Sequence, residues 1–134
     1  MTEVDRSIGT LENVVEKNYQ LNGRGLKFDR HYTELGKNPF DYFKWETRRV
    51  VIKDRNPNNP PTVDRSIEVP KHWRKPAENM IAEKYAKSAD IPGIGEESSA
   101  KQVIYRVAKT LADEGLKRGY FATNKDYQTF YDEL

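Results

Sequence analysis

His31 and His72 are the only histidines of the chain. A metal site built on either needs further ligands close by, and neither has a histidine or an acid four residues on within a clear helix. Both read as surface or interface histidines. Pro92-Gly93-Ile94-Gly95 holds the G-x-G core of a dinucleotide fingerprint. That fingerprint needs a third glycine and a preceding strand; here the third position is Ser98 and a helical pattern precedes, so the segment reads as a connection between helices. Arg48-Arg49 beside Trp45, and Arg74-Lys75 beside Trp73, mix cations with aromatic rings as single-strand nucleic-acid binders do. Acids lie among them (Glu46, Asp54, Glu68, Glu78), and both indoles also suit a core or an interface. Asp113-Glu114 and Asp132-Glu133 are adjacent carboxylates on helical segments. Sequence neighbours on a helix point about 100° apart, so each pair reads as a solvated face and not as an acid–base dyad. With no cysteine, disulfides, thiolate metal sites, thiol nucleophiles and thiyl radicals are all excluded within the chain. No residue is therefore assigned a catalytic, cofactor-binding or metal-binding role.

The elements that would position these residues come from 134 residues, room for one domain. The charged fraction is 33% and mean hydropathy −0.94, which is polar for a globular chain. Yet aromatics make up 11%, too many for a disordered one. The net charge of +2 gives no basic field of the kind that binds nucleic acid. No apolar run reaches the ~18–20 residues of a membrane span, and the N-terminus has no signal-peptide pattern. The expectation is a cytoplasmic protein with no membrane partner.

Residues 1–25 are expected to form a weakly ordered leader. Within it Thr10 could cap a short helix carrying Leu11, Val14 and Val15, broken by Gly23 and Gly25. Leu26 and Phe28 follow in an extended stretch. Residues 45–52, Trp-Glu-Thr-Arg-Arg-Val-Val-Ile, read as a strand by their β-branched content. A loop with three prolines and three asparagines covers 53–62. Val63, Ile67 and Val69 mark a second strand ended by Pro70, so an antiparallel hairpin spans 45–69.

Three helices are predicted over 74–87, 99–115 and 124–133. The first has Trp73, Ala77, Met80, Ile81 and Tyr85 at helical spacing. The second has Ser99 as N-cap, Gln102 as its capping-box partner, and a stripe of Val103, Ile104, Val107 and Leu111; Gly115 or Gly119 ends it. The third starts at Thr123 with Asp126 at its third position and carries Tyr127, Phe130, Tyr131 and Leu134. That stripe still runs at the last residue, which suggests a separately encoded segment, a truncated chain or docking on another chain. The fold class is α+β: one hairpin and a mostly helical C-terminal half. The small core predicts that part of the set Trp45, Trp73, Tyr127, Phe130 and Tyr131 stays exposed as an apolar patch.

Three ordered stretches carry a resemblance. Residues 26–52 hold Phe28, Tyr32-Thr33, Gly36, Asn38-Pro39-Phe40-Asp41, Trp45-Glu46, Arg49 and Ile52. Residues 67–85 read Ile-Glu-Val-Pro-Lys-His-Trp and then Ala-Glu-Asn-Met-Ile-Ala-Glu-Lys-Tyr. Residues 99–121 hold Ser-Ala-Lys-Gln-Val-Ile-Tyr-Arg-Val-Ala-Lys-Thr-Leu-Ala-Asp-Glu-Gly and, further on, Gly-Tyr-Phe. In this order they resemble the N-terminal region of the adenosylcobalamin (vitamin B12)-dependent, class II ribonucleotide reductases, with residues 26–134 as the matching domain. The resemblance implies an enzyme that reduces ribonucleotides, as ribonucleoside diphosphates, to deoxyribonucleotides for DNA synthesis. It implies a thiyl radical raised by adenosylcobalamin inside an α/β barrel that lies downstream. The family's catalytic cysteines, their Asn and Glu partners and its cobalamin contacts have no counterpart here. The chain would be a non-catalytic N-terminal segment, inactive and cofactor-free alone, whose partner is the catalytic barrel and which meets the ribonucleotide only through the whole enzyme. The alternative is a small single-stranded nucleic-acid-binding module.

Overall fold

The β-branched residues Thr47, Val50, Val51 and Ile52 favour extended backbone, and β1 runs Trp45–Ile52. Its partner β2 runs Val63–Pro70. The two pair antiparallel from Ile52 opposite Val63 to Trp45 opposite Pro70, as the sequence predicts. A computed structural model describes residues 21–87 and 95–134. The predicted Thr10 helix and most of the Pro92–Gly95 segment lie outside them. Two compact units divide the described residues: one lies within Tyr42–Ile104, the other takes those up to Asp41 with Tyr105–Leu134.

In the Tyr42–Ile104 unit, the two-stranded sheet packs against the helical segment that follows it and the residues around Ala100 and Val103. Helix α1 (Lys75–Met80) begins with Pro76 in its first turn, where no helical N–H partner is lost. It continues as a π-helical turn, Ile81–Tyr85. The Ala86 amide donates to the Ile81 carbonyl at 2.8 Å, a five-residue step. That step stacks Ala86, instead of Tyr85, above Ile81. The core is Val50, Ile67 and Val69 from the sheet with Ile81, Ala82, Ala86, Ala100 and Val103, and Trp45 and Trp73 pack at its edge. Ala77, Met80 and Tyr85, expected on the buried stripe, are exposed. The helix is instead turned to bury Glu78. Met80, two residues on, then points to the opposite side.

Helix α2 covers Ala100–Lys117. Its start is the predicted capping box: Gln102 Oε1 accepts from the Ser99 amide at 3.1 Å, and Ser99 Oγ accepts from the Lys101 amide at 3.2 Å. Its end is a Schellman motif at Gly119, where φ is +69°. The Tyr120 amide donates to Gly115 O at 2.9 Å and the Gly119 amide to Leu116 O at 3.1 Å. Helix α3 covers Asn124–Glu133, with Thr123 as N-cap accepting from the Asp126 amide.

In the other unit, the core joins Ala108, Ala112 and Leu116 of α2 to Phe121, Tyr127 and Tyr131. This corrects the predicted α2 stripe: Ile104, Val107 and Leu111 are 37%, 46% and 51% exposed. The physical reason is ring volume. A Cβ at Gly115 would stand 2.9 Å from the buried Phe121 ring, so only the small-residue side of α2 lets the rings approach. The aromatic patch is corrected too. Tyr127 and Tyr131 are buried, and Trp45, Trp73 and Phe130 are half-buried against the two cores.

The extended stretch at Leu26 forms a parallel bridge to Phe121, through Leu26 N to Tyr120 O at 2.8 Å and Ala122 N to Leu26 O at 2.9 Å. Gly25 is required there: φ is +121°, and a Cβ would meet the Tyr120 carbonyl at 2.5 Å.

Candidate functional site: the Arg48 junction and its cleft

Arg48 lies on β1 opposite Ile67. Strand period puts Glu46 on the same face two residues earlier, and Arg48 Nε donates to Glu46 Oε1 at 2.6 Å. Nη1 donates to the Trp73 carbonyl at 2.5 Å and to Glu78 Oε2 at 2.8 Å. Nη2 donates to the Lys71 carbonyl at 2.6 Å. Only the planar, five-donor guanidinium fork can serve two carboxylates and two carbonyls at once. Hydrogen bonds to Glu78 and then Glu46 raise its pKa above the ordinary value. Both carboxylates are engaged, so neither is free to act as a general base. The cluster fastens the 71–74 turn and α1 to the sheet.

Beside it lies an open cleft of about 330 Å³ lined by Tyr42, Phe43, Lys44, Lys71 and His72. The hairpin register builds it. Lys71 N donates to Lys44 O at 2.7 Å, one residue beyond the Trp45–Pro70 pair. The Phe43 and His72 rings stand 5.4 Å apart, tilted 33°. Two ammonium groups, an imidazole and a phenyl face suit an anion and a planar ring. No carboxylate lines the cleft. Among the described residues no group of three or more His, Asp or Glu is placed to hold a metal.

Of the residues singled out in the sequence, only His72 falls in this cleft. Phe43, Lys44 and Lys71 were missed, although the hairpin register itself places residue 44 beside 71. His31 belongs to the other unit, where its exposed ring meets Tyr32 edge-on at 4.5 Å. The cation–aromatic pairs are engaged differently from a nucleic-acid surface. Arg48 is held by Glu46 and Glu78, while Arg49 makes a two-pronged pair with Asp64 at 2.9 Å on each side. The Trp45 ring lies under Lys101 Nζ at 4.8 Å and, with Trp73, against the core.

The carboxylate pairs are not merely solvated, as the sequence suggested. Asp113 accepts from the Tyr127 hydroxyl at 2.7 Å and from Lys109 at 2.6 Å. Burial first, then that hydrogen bond, pushes the Tyr127 phenol pKa far up. Asp132 holds Arg30 at 2.8 Å. Glu133 accepts from the amides of Tyr32 at 3.0 Å and Thr33 at 2.8 Å, and from the Thr33 hydroxyl. Asp126 accepts from the Phe28 amide at 3.0 Å. One side of α3 is thus a clasp for residues 28–33, built from carboxylates and not an acid–base device. Glu114 alone behaves as expected, in an exposed pair with Arg118 at 2.7 Å.

Comparison with known proteins matches the sequence of this chain to one family. The family model described as class II vitamin B12-dependent ribonucleotide reductase covers residues 48–134. The vitamin B12-dependent ribonucleotide reductase of Rhodopirellula baltica is 35% identical over 111 residues, 82% of this chain and 11% of its own length. That of Streptomyces coelicolor is 34% identical over 112 residues, 84% of this chain and 12% of its own. The Bradyrhizobium diazoefficiens protein of the same name is 28% identical over 142 residues, 81% of this chain and 11% of its own. The chain thus spans about one-ninth of the length of the curated relatives it matches. No solved structure matches it. No helix among the described residues is long and apolar enough to cross a membrane. On the match over 48–134, the chain belongs to the class II vitamin B12-dependent ribonucleotide reductase family and corresponds to its N-terminal segment.

Proposed function

We propose that residues 26–134 serve as the non-catalytic N-terminal domain of a vitamin B12-dependent ribonucleotide reductase, with residues 1–25 as its leader. The whole enzyme would reduce ribonucleotides to deoxyribonucleotides in the cytoplasm. The observation that carries this is the family match across 48–134 in a chain that contains no cysteine. Ribonucleotide reduction through a thiyl radical needs a thiol, so the radical residue and the reducing pair must come from polypeptide outside this chain. Adenosylcobalamin would act with that thiol in the catalytic part of the whole enzyme. The role left to this chain is structural: a hairpin-and-helix module, pinned by Arg48 and by the α3 carboxylates, that packs on the catalytic barrel. The test is an assay of the purified 134-residue chain with adenosylcobalamin, a dithiol and a ribonucleotide. No deoxyribonucleotide is expected from the chain alone, and a stable complex is expected on gel filtration once the catalytic part of the reductase is added. Turnover by the chain alone overturns this function.

A further inference from the structure

Helix α2 has two apolar sides and buries one. Ala108, Ala112 and Leu116 face the aromatic core. Val107 and Leu111, with Ile104 one turn before them, follow the i, i+3, i+7 rule and lie within about 60° of one another on the helix surface. All three are exposed, at 37% to 51%. Removing apolar surface from water drives association in proportion to the area buried, so a row of three half-exposed branched aliphatics is a standing driving force for association. One turn on, the same side continues into the Glu114–Arg118 ion pair. An apolar centre bordered by charge is how protein interfaces are built.

We propose that this Ile104–Val107–Leu111 face of α2 is where the catalytic part of the reductase docks, through a complementary apolar surface; the inference rests on the function proposed above. The occupant follows from length. In the relatives the matched segment is about 11% of a continuous polypeptide, so most of each protein lies beyond it and is available to cover the face.

The experiment measures binding of the full 134-residue chain to the separately produced catalytic part, for the wild type and for the double variant Val107→Asp, Leu111→Asp. Melting temperature and sedimentation of each chain are recorded alongside. Expected is a wild-type complex, weakened at least tenfold in the double variant with no change in melting temperature. Equal binding by both chains overturns the docking face and leaves the proposed function standing. A wild type that does not bind overturns both. A variant that melts several degrees lower or fails to fold shows that the face is part of the chain's own packing, and overturns the proposal. A concentration-dependent wild-type dimer that the variant loses assigns the face to a second copy, and overturns it as well.

Discussion

Arg48 on β1 and Glu78 on α1, thirty residues apart in sequence, meet in a 2.8 Å ion pair in which the Glu78 side chain is only 6% exposed. The same guanidinium takes the carbonyls of Lys71 and Trp73. A single side chain therefore holds the strand, the turn after β2 and the first helix in one arrangement. A charge buried as deeply as Glu78 is tolerated only while its counter-charge is present.

Arg48→Ala is therefore expected to be among the most damaging substitutions in this unit, because it strands the Glu78 carboxylate and two carbonyls. A fall in melting temperature of roughly 10 °C is expected by calorimetry. Glu78→Gln keeps an acceptor for the guanidinium and should cost less. The double variant Arg48→Met, Glu78→Leu should recover part of the loss, since neither charge is then left alone. An Arg48→Ala chain that melts with the wild type would refute the pinning role.

Leu111 and Leu116 sit on the same helix but on different sides, and one substitution separates them. Leu116→Ala opens a cavity beneath Phe121 and Tyr127 and should cost about 2–5 kcal/mol in urea unfolding. Leu111→Ala removes a side chain that is half in water, and should change stability by less than about 0.5 kcal/mol. Similar losses at both positions would mean that the exposed stripe is in fact part of a core.

Glu133 carries a pH dependence of defined sign. The Thr33 hydroxyl first, then the Tyr32 amide, hold its pKa down from 4.5 to about 2. Because the folded value is depressed, its contribution to stability is complete above pH 4.5 and is lost as the pH falls from there towards 2. Carboxyl NMR should place the Glu133 midpoint near 2 in the wild type and move it up towards 4.5 in Thr33→Ala. An unshifted midpoint in both chains would refute the clasp.

Much of the fold could be read directly. The Pro- and Asn-rich loop, the β-branched runs on either side of it and the Ser99–Gln102 and Thr123–Asp126 caps each depend on residues within a few positions, and each appears where its pattern puts it. The candidate site was legible only in fragments. His72 stood out by type, but Tyr42, Phe43, Lys44 and Lys71 carry no motif, and only the hairpin register makes them neighbours. The Arg48–Glu78 pair and the grip of Asp132 and Glu133 on residues 30–33 were not legible, because charges about thirty or a hundred residues apart leave no local signal.

The amino-acid sequence by itself determined the strands, the caps and where the helices start, because backbone preference and capping act over a turn or two. It also excluded thiol chemistry, because a residue type that is absent cannot be supplied by folding. Which side of α2 is buried was decided only by tertiary structure. Hydrophobicity favours the Ile104, Val107 and Leu111 side, but the rings of Phe121, Tyr127 and Tyr131 need close approach, and only the side of Ala108, Ala112 and Gly115 leaves room for them. Packing volume overrode hydropathy there, and the bulky stripe was left facing outward.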